Sequence, residues 1–140
     1  MLRKFALIYG AMFLLGGILG FVPGVTQPPH HAPPLVVEAF HGRVLGLFTV
    51  NVLHNIVHLA IGVFGLLGSR SVSGALLYAR GVAIFYGVLA VLGLIPATNT
   101  LFGLVPIHDH DVWLHAGSAL MAAFFGFGPP ARAREAAAQA

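Results

Sequence analysis

Asn51-Val52-Leu53-His54-Asn55-Ile56-Val57-His58-Leu59-Ala60-Ile61-Gly62-Val63-Phe64-Gly65-Leu66-Leu67-Gly68 is the stretch whose reading decides the fold. It is apolar except for Asn51, His54, Asn55 and His58, all near its start. With Val50 it approaches the ~20 mostly apolar residues that a helix needs, at 1.5 Å per residue, to cross a bilayer core. Four polar groups in such a segment are costly to place against lipid, so they are expected to face other helices.

Three more segments read the same way. They span 5–22, with no charge, 76–96, with only Arg80 near its start, and 110–127. The expected fold class is all-α, an integral membrane four-helix bundle forming one domain over residues 1–128. Its outer loops are 25–49 and 97–109, with a polar cytoplasmic tail at 129–140. Composition agrees: the 140 residues are 58% hydrophobic and only 8% charged, with mean hydropathy +0.90. A soluble domain carries about a quarter charged residues, whereas a bilayer permits an apolar exterior. Arg3 and Lys4 before the first span resemble a signal peptide. The apolar run is too long for that, and no A-x-A-like site follows it, so a retained helix is expected.

Direction follows from the basic residues. With the N-terminus inside, Arg3, Lys4, Arg70, Arg80, Arg132 and Arg134 are all cytoplasmic, and Arg43 alone lies outside. Both termini are therefore expected in the cytoplasm, with Trp113 as an aromatic at the outer interface. In the first outer loop, Gln27–Pro34 carries His30-His31 among prolines that favour an extended path. Leu35–Phe48 alternates apolar residues with Glu38, His41 and Arg43, and is expected to lie along the membrane surface. The pI near 10 comes without a basic face interleaved with aromatics, so the partner is a lipid bilayer, or other membrane subunits, and not nucleic acid. The absence of cysteine excludes disulfides, thiolate catalysis and iron–sulfur clusters.

The second and fourth spans align at a shift of 57 residues. Gly46 falls on Gly103, Leu47 on Leu104 and His58 on His115, while His54 falls opposite Asp111. Thr49 and Pro106 also coincide, and these residue types suit a helix start. Tyr9-Gly10 with Gly16 and Pro23 echoes Tyr86-Gly87 with Gly93 and Pro96 more loosely. The chain reads as two repeated helical hairpins about an axis along the membrane normal.

His54 and His58 share a helix face, as do Asp111 and His115, and the repeat sets the two pairs at equal depth. From Thr49 they lie roughly 7 and 13 Å below the helix start, and all eight histidines fall in the outer half. Four readings compete for this group. Interhelical hydrogen bonds could simply fix packing, at about 0.6 kcal/mol each. His54, His58, Asp111 and His115 could instead bind a divalent metal, with three imidazoles and a carboxylate suiting Zn²⁺, non-haem iron or Cu²⁺. Zn²⁺ leads, because the bridging glutamates of di-iron bundles are missing. His108, Asp109 and His110 would then surround the site or its access path. Haem between His58 and His115 is a third reading, opposed by the crowding of His54 and Asp111. A proton relay is the fourth, opposed by the apolar inner halves of the helices. Gly16-x-x-x-Gly20 and Gly62, Gly65 and Gly68 permit close helix approach, in the bundle or in an oligomer.

The run N-x-x-H-N-x-x-H-x-x-x-G at Asn51–Gly62, followed by D-x-W-L-H at Asp111–His115, resembles the bacterial family catalogued as domain of unknown function 4383. Phe5-Ala6-Leu7 and the glycine-rich Leu15–Gly24 add to the likeness, which covers nearly all of the chain up to Phe127. The resemblance implies a four-span protein of the bacterial inner membrane and supplies no reaction. The functional expectation is a His/Asp site near the extracytoplasmic face that binds a divalent metal, whose bound water would serve hydrolysis of a lipid-like substrate. No general base stands apart from the ligands, so enzyme status stays open. The alternative is an accessory subunit packed against a larger membrane complex.

Overall fold

A computed structural model describes residues 1–29 and 32–139. The His30-His31 pair therefore lies outside the described residues. In chain order the elements are α1 (Leu2–Leu19), β1 (Thr26–Gln27), β2 (Gly42–Val44), β3 (Phe48–Val50), α2 (Val52–Gly68), α3 (Val72–Leu94), α4 (His110–Phe127) and α5 (Pro129–Gln139).

The protein is mostly helical. α1, α3 and the helical stretch from α4 into α5 are long and apolar enough to cross a membrane, and α2 is a shorter apolar helix of 17 residues. Their outward faces carry Leu7, Ile8, Met12, Leu77, Ile84, Val88, Leu120 and Phe124, all exposed. Such a continuous apolar exterior matches a lipid environment and would be a liability in water.

α1 packs chiefly against α2, and α3 against α4. The first pair meets where side chains are absent. A Cβ at Gly10 would lie 2.8 Å from the Gly62 carbonyl oxygen, and one at Gly65 would lie 2.6 Å from the Gly10 Cα. Gly17 and Gly20 of the α1 C-terminal end abut Asn55. Of the glycines that the sequence offers for close approach, Gly20, Gly62 and Gly65 are thus used between α1 and α2. Toward the end that carries both termini, the core is Ala6, Ala75, Ala79 and Ala122 around Phe5, Tyr78 and Val82, with Phe5 stacked on Phe125 at 4.4 Å. The same end holds Arg3, which donates to the Ser69 carbonyl, and Arg80, which pairs with Glu135 of α5.

The opposite end corrects the all-α expectation. Between Thr26 and Val50 lies a three-stranded antiparallel sheet in the order β1-β2-β3, with Thr26 opposite Val44 and Arg43 opposite Thr49. β2 and β3 turn through Leu45 and Gly46, both at positive φ. These strands are two or three residues long, too short for an alternating pattern to separate them from a loop. Thr49 lies in β3 and does not cap a helix; α2 begins after Asn51. Pro106 likewise precedes α4, which starts at His110. The C-terminal segment is helical through Gln139.

The α1–α2 crossing gives a direct test. A valine at position 10 would press its branches on backbone, which yields less readily than side chains and costs about 3 kcal/mol. Gly10→Val should lower the thermal unfolding midpoint in detergent markedly. Gly81→Ala, whose Cβ meets nothing within 4 Å, should leave it unchanged. Equal midpoints for both variants would contradict this packing.

Candidate metal centre

The site begins with Asn51, which is fully buried. Its carboxamide oxygen accepts the His54 N–H at 3.0 Å, capping α2. Its Nδ2 donates to the Val37 carbonyl at 2.9 Å and to the Leu104 carbonyl at 2.7 Å. One side chain therefore fastens the start of α2 to both long loops. Next to it, the Val52 N–H adds a bond to the Ala39 carbonyl at 2.8 Å.

α4 is fastened to the same place. The Thr49 N–H in β3 donates to Asp111 Oδ2 at 3.1 Å, and Asp111 is only 1% exposed. This contact links the first turn of α4 to the strand that leads into α2, so the axial positions of the two helices are set together. At the rim, Asp109 Oδ2 lies 2.9 Å from His108 Nδ1 and 3.7 Å from Arg43. Burial pushes the His41 imidazole below its ordinary range; Glu38 opposes the shift and His108 adds to it. His110 and Glu38 are exposed.

One turn deeper than these fastenings, His54, His58 and His115 converge. One ring nitrogen from each lies within 4.8 Å of the other two. His54 Nε2 and His58 Nε2 are 3.2 Å apart, and the His54 and His115 ring centroids are 6.1 Å apart. Two nitrogens bound at 2.0–2.1 Å to a tetrahedral zinc are themselves about 3.3 Å apart, so the α2 pair already has the ligand spacing. Neither nitrogen of the buried His115 has a hydrogen-bond partner among the described residues. Buried imidazole nitrogens left unpaired are costly, and a cation would satisfy one of the two.

Asp111 is not in this group. Its expected role as a fourth ligand meets a competing use, because one carboxylate oxygen is held by the Thr49 backbone. It lines the same cleft as His58 instead. That cleft, about 430 Å³ in volume, runs between α1 and α4.

Tyr86 is the residue that sequence reasoning missed. Its ring lies 5.1 Å from His115 and 6.5 Å from His58, and stacks on Phe13 at 5.0 Å. It is 1% exposed, with its hydroxyl unpartnered among the described residues. A phenol in the middle of an otherwise apolar span was the available signal, noticed only as half of the Tyr-Gly echo.

The family model described as "Domain of unknown function (DUF4383)" matches residues 3–128. The chain belongs to this family. No curated protein matches it, and no solved structure does. The DUF4383 region takes in all three histidines, Tyr86 and Asp111, and leaves α5 outside.

Removing Asn51 should loosen the site from above. Asn51→Ala loses a cap and strands buried carbonyls, about 3 kcal/mol in all. Asn51→Asp keeps the cap acceptor but cannot donate to Val37 and Leu104, and should be at least as unstable. Thermal unfolding in detergent checks both; an Asp variant as stable as wild type would show that the two loop bonds carry no weight.

Proposed function

We propose that this protein crosses the membrane four times, with both termini cytoplasmic, and binds a divalent metal through His54, His58 and His115 near the extracytoplasmic face. Zn²⁺ is the first choice. The observation that carries this reading is the convergence of three imidazoles in a cysteine-free apolar bundle, with both His115 ring nitrogens unpartnered among the described residues. Three neutral imidazoles suit zinc, copper and iron, and the three-ligand set leaves a position open. Asp111 is placed to offset part of the metal's charge from one turn before His115. A zinc held by three histidines supplies a bound water of pKa near 7, the chemistry of hydrolysis.

The basic residues support the orientation. Arg3, Lys4, Arg70, Arg80, Arg132 and Arg134 lie on α1, the α2–α3 turn, α3 and α5, at the end opposite the sheet. Two repeated hairpins are supported by the pairing of α1 with α2 and of α3 with α4. Positive φ at Leu45-Gly46 and again at Phe102-Gly103 adds to this, because the two sites coincide under the 57-residue shift. Against haem, the His54 ring stands 4.6 Å from that of His58 and occupies space beside it that a porphyrin needs. An accessory role has no specific observation in its favour, since the glycines of α1 and α2 pack on one another.

Elemental analysis after chelator-free purification tests the proposal. Wild type should carry about one zinc or other transition metal per chain. His58→Ala and His115→Ala should fall to background while eluting as the same folded species, and Asp111→Asn should retain most of the metal. A metal-free wild type, in a preparation that also fails to take up added Zn²⁺, would leave the histidines as interhelical packing groups.

A further inference from the structure

The cleft between α1 and α4 has an apolar mouth and a polar end. Met12, Leu15 and Trp113 at its mouth are 57–70% exposed, so in a bilayer it opens sideways among acyl chains. At its inner end it meets His58, Tyr86 and Asp111. Its volume of about 430 Å³ falls at the lower end of the ~300–1,000 Å³ typical of small-molecule sites. That is room for one chain and not for a two-chain lipid.

We propose that this cleft admits a single-chain fatty carboxylate from the membrane and presents its head to the open position of the histidine-bound metal. The inference rests on the metal reading above. Charge selects the head. Three neutral imidazoles leave a divalent ion with both its charges, and Asp111, ionised in the field of that ion, would offset one of them. The site therefore complements one further negative charge, in a medium where an unmatched charge is expensive. The Tyr86 hydroxyl, buried and without an acceptor, is a donor beside His58 for a carboxylate oxygen. The tail lies against Phe13 and Leu19 on one side and α4 on the other. Gly117 forms part of the α4 wall, and a Cβ there would meet nothing within 4 Å. A larger side chain at 117 would therefore fill the cleft without disturbing the bundle.

Cobalt(II) makes the open position visible, because its absorption bands follow its ligands. Protein loaded with Co²⁺ in a non-ionic detergent is titrated with oleate, and separately with acetate, which has the head alone. Oleate should change the cobalt spectrum saturably at concentrations where acetate does nothing. Gly117→Leu should keep its cobalt and weaken oleate binding at least tenfold. Equal responses to oleate and acetate, or unchanged oleate affinity in Gly117→Leu, would overturn the proposal. Failure to bind cobalt would overturn the metal reading instead. Labelling by a fatty acid with a photoreactive tail then decides the cleft on its own. Labelling of Met12, Trp113 and Gly117 that excess oleate suppresses supports occupancy, and even labelling around all the lipid-facing helices contradicts it.

Discussion

The carboxamide of Asn51 is the constraint on which the sheet-bearing half of this molecule depends. A buried primary amide has two N–H donors and one oxygen to satisfy, and here all three are used within the chain. One bond starts α2, one holds the Val37 segment and one holds the Leu104 segment. Helices in lipid gain little from sliding apolar faces past one another, so their axial register must be set by polar contacts of this kind. The Thr49–Asp111 bond does the same for α4. Together these contacts place His54, His58 and His115 at depths where they meet, although α2 and α4 do not themselves form a close helix pair.

What such convergence does is a matter of energetic alternatives. Hydrogen bonds among the imidazoles would satisfy at most part of their capacity. His54 and His58 can share one hydrogen between their Nε2 atoms, whereas His115 has nothing to share with among the described residues. Interhelical bonds of this class contribute under 1 kcal/mol on average, less than the cost of burying the groups that make them. A metal changes the balance, because coordination engages a nitrogen on each ring at once.

Much of this was legible from residue spacing alone. The four-residue interval of His54 and His58 gives them a common face, and His115, set opposite His58 by the 57-residue shift, brings a ring nitrogen within 4.8 Å of theirs. Asp111 shows the limit of that logic. It sits on the right face one turn from His115, yet a carboxylate accepts from any nearby N–H, and the unpaired Thr49 amide competes for it. Thr49 was misjudged for the same reason, since its N-cap chemistry also suits a strand. The sheet went unread because its strands are too short to carry a period. Tyr86 escaped notice because an aromatic residue in an apolar helix usually signals packing, and only the third dimension sets it against two imidazoles.

X-ray absorption at the zinc edge of the purified, zinc-loaded protein examines the centre most directly. Three imidazole nitrogens at about 2.0 Å, with the outer-shell scattering characteristic of histidine rings and one further light atom, are the expected result. A spectrum fitted by fewer than two imidazoles, or by six oxygens typical of loosely held surface zinc, would show that the three rings do not share an ion.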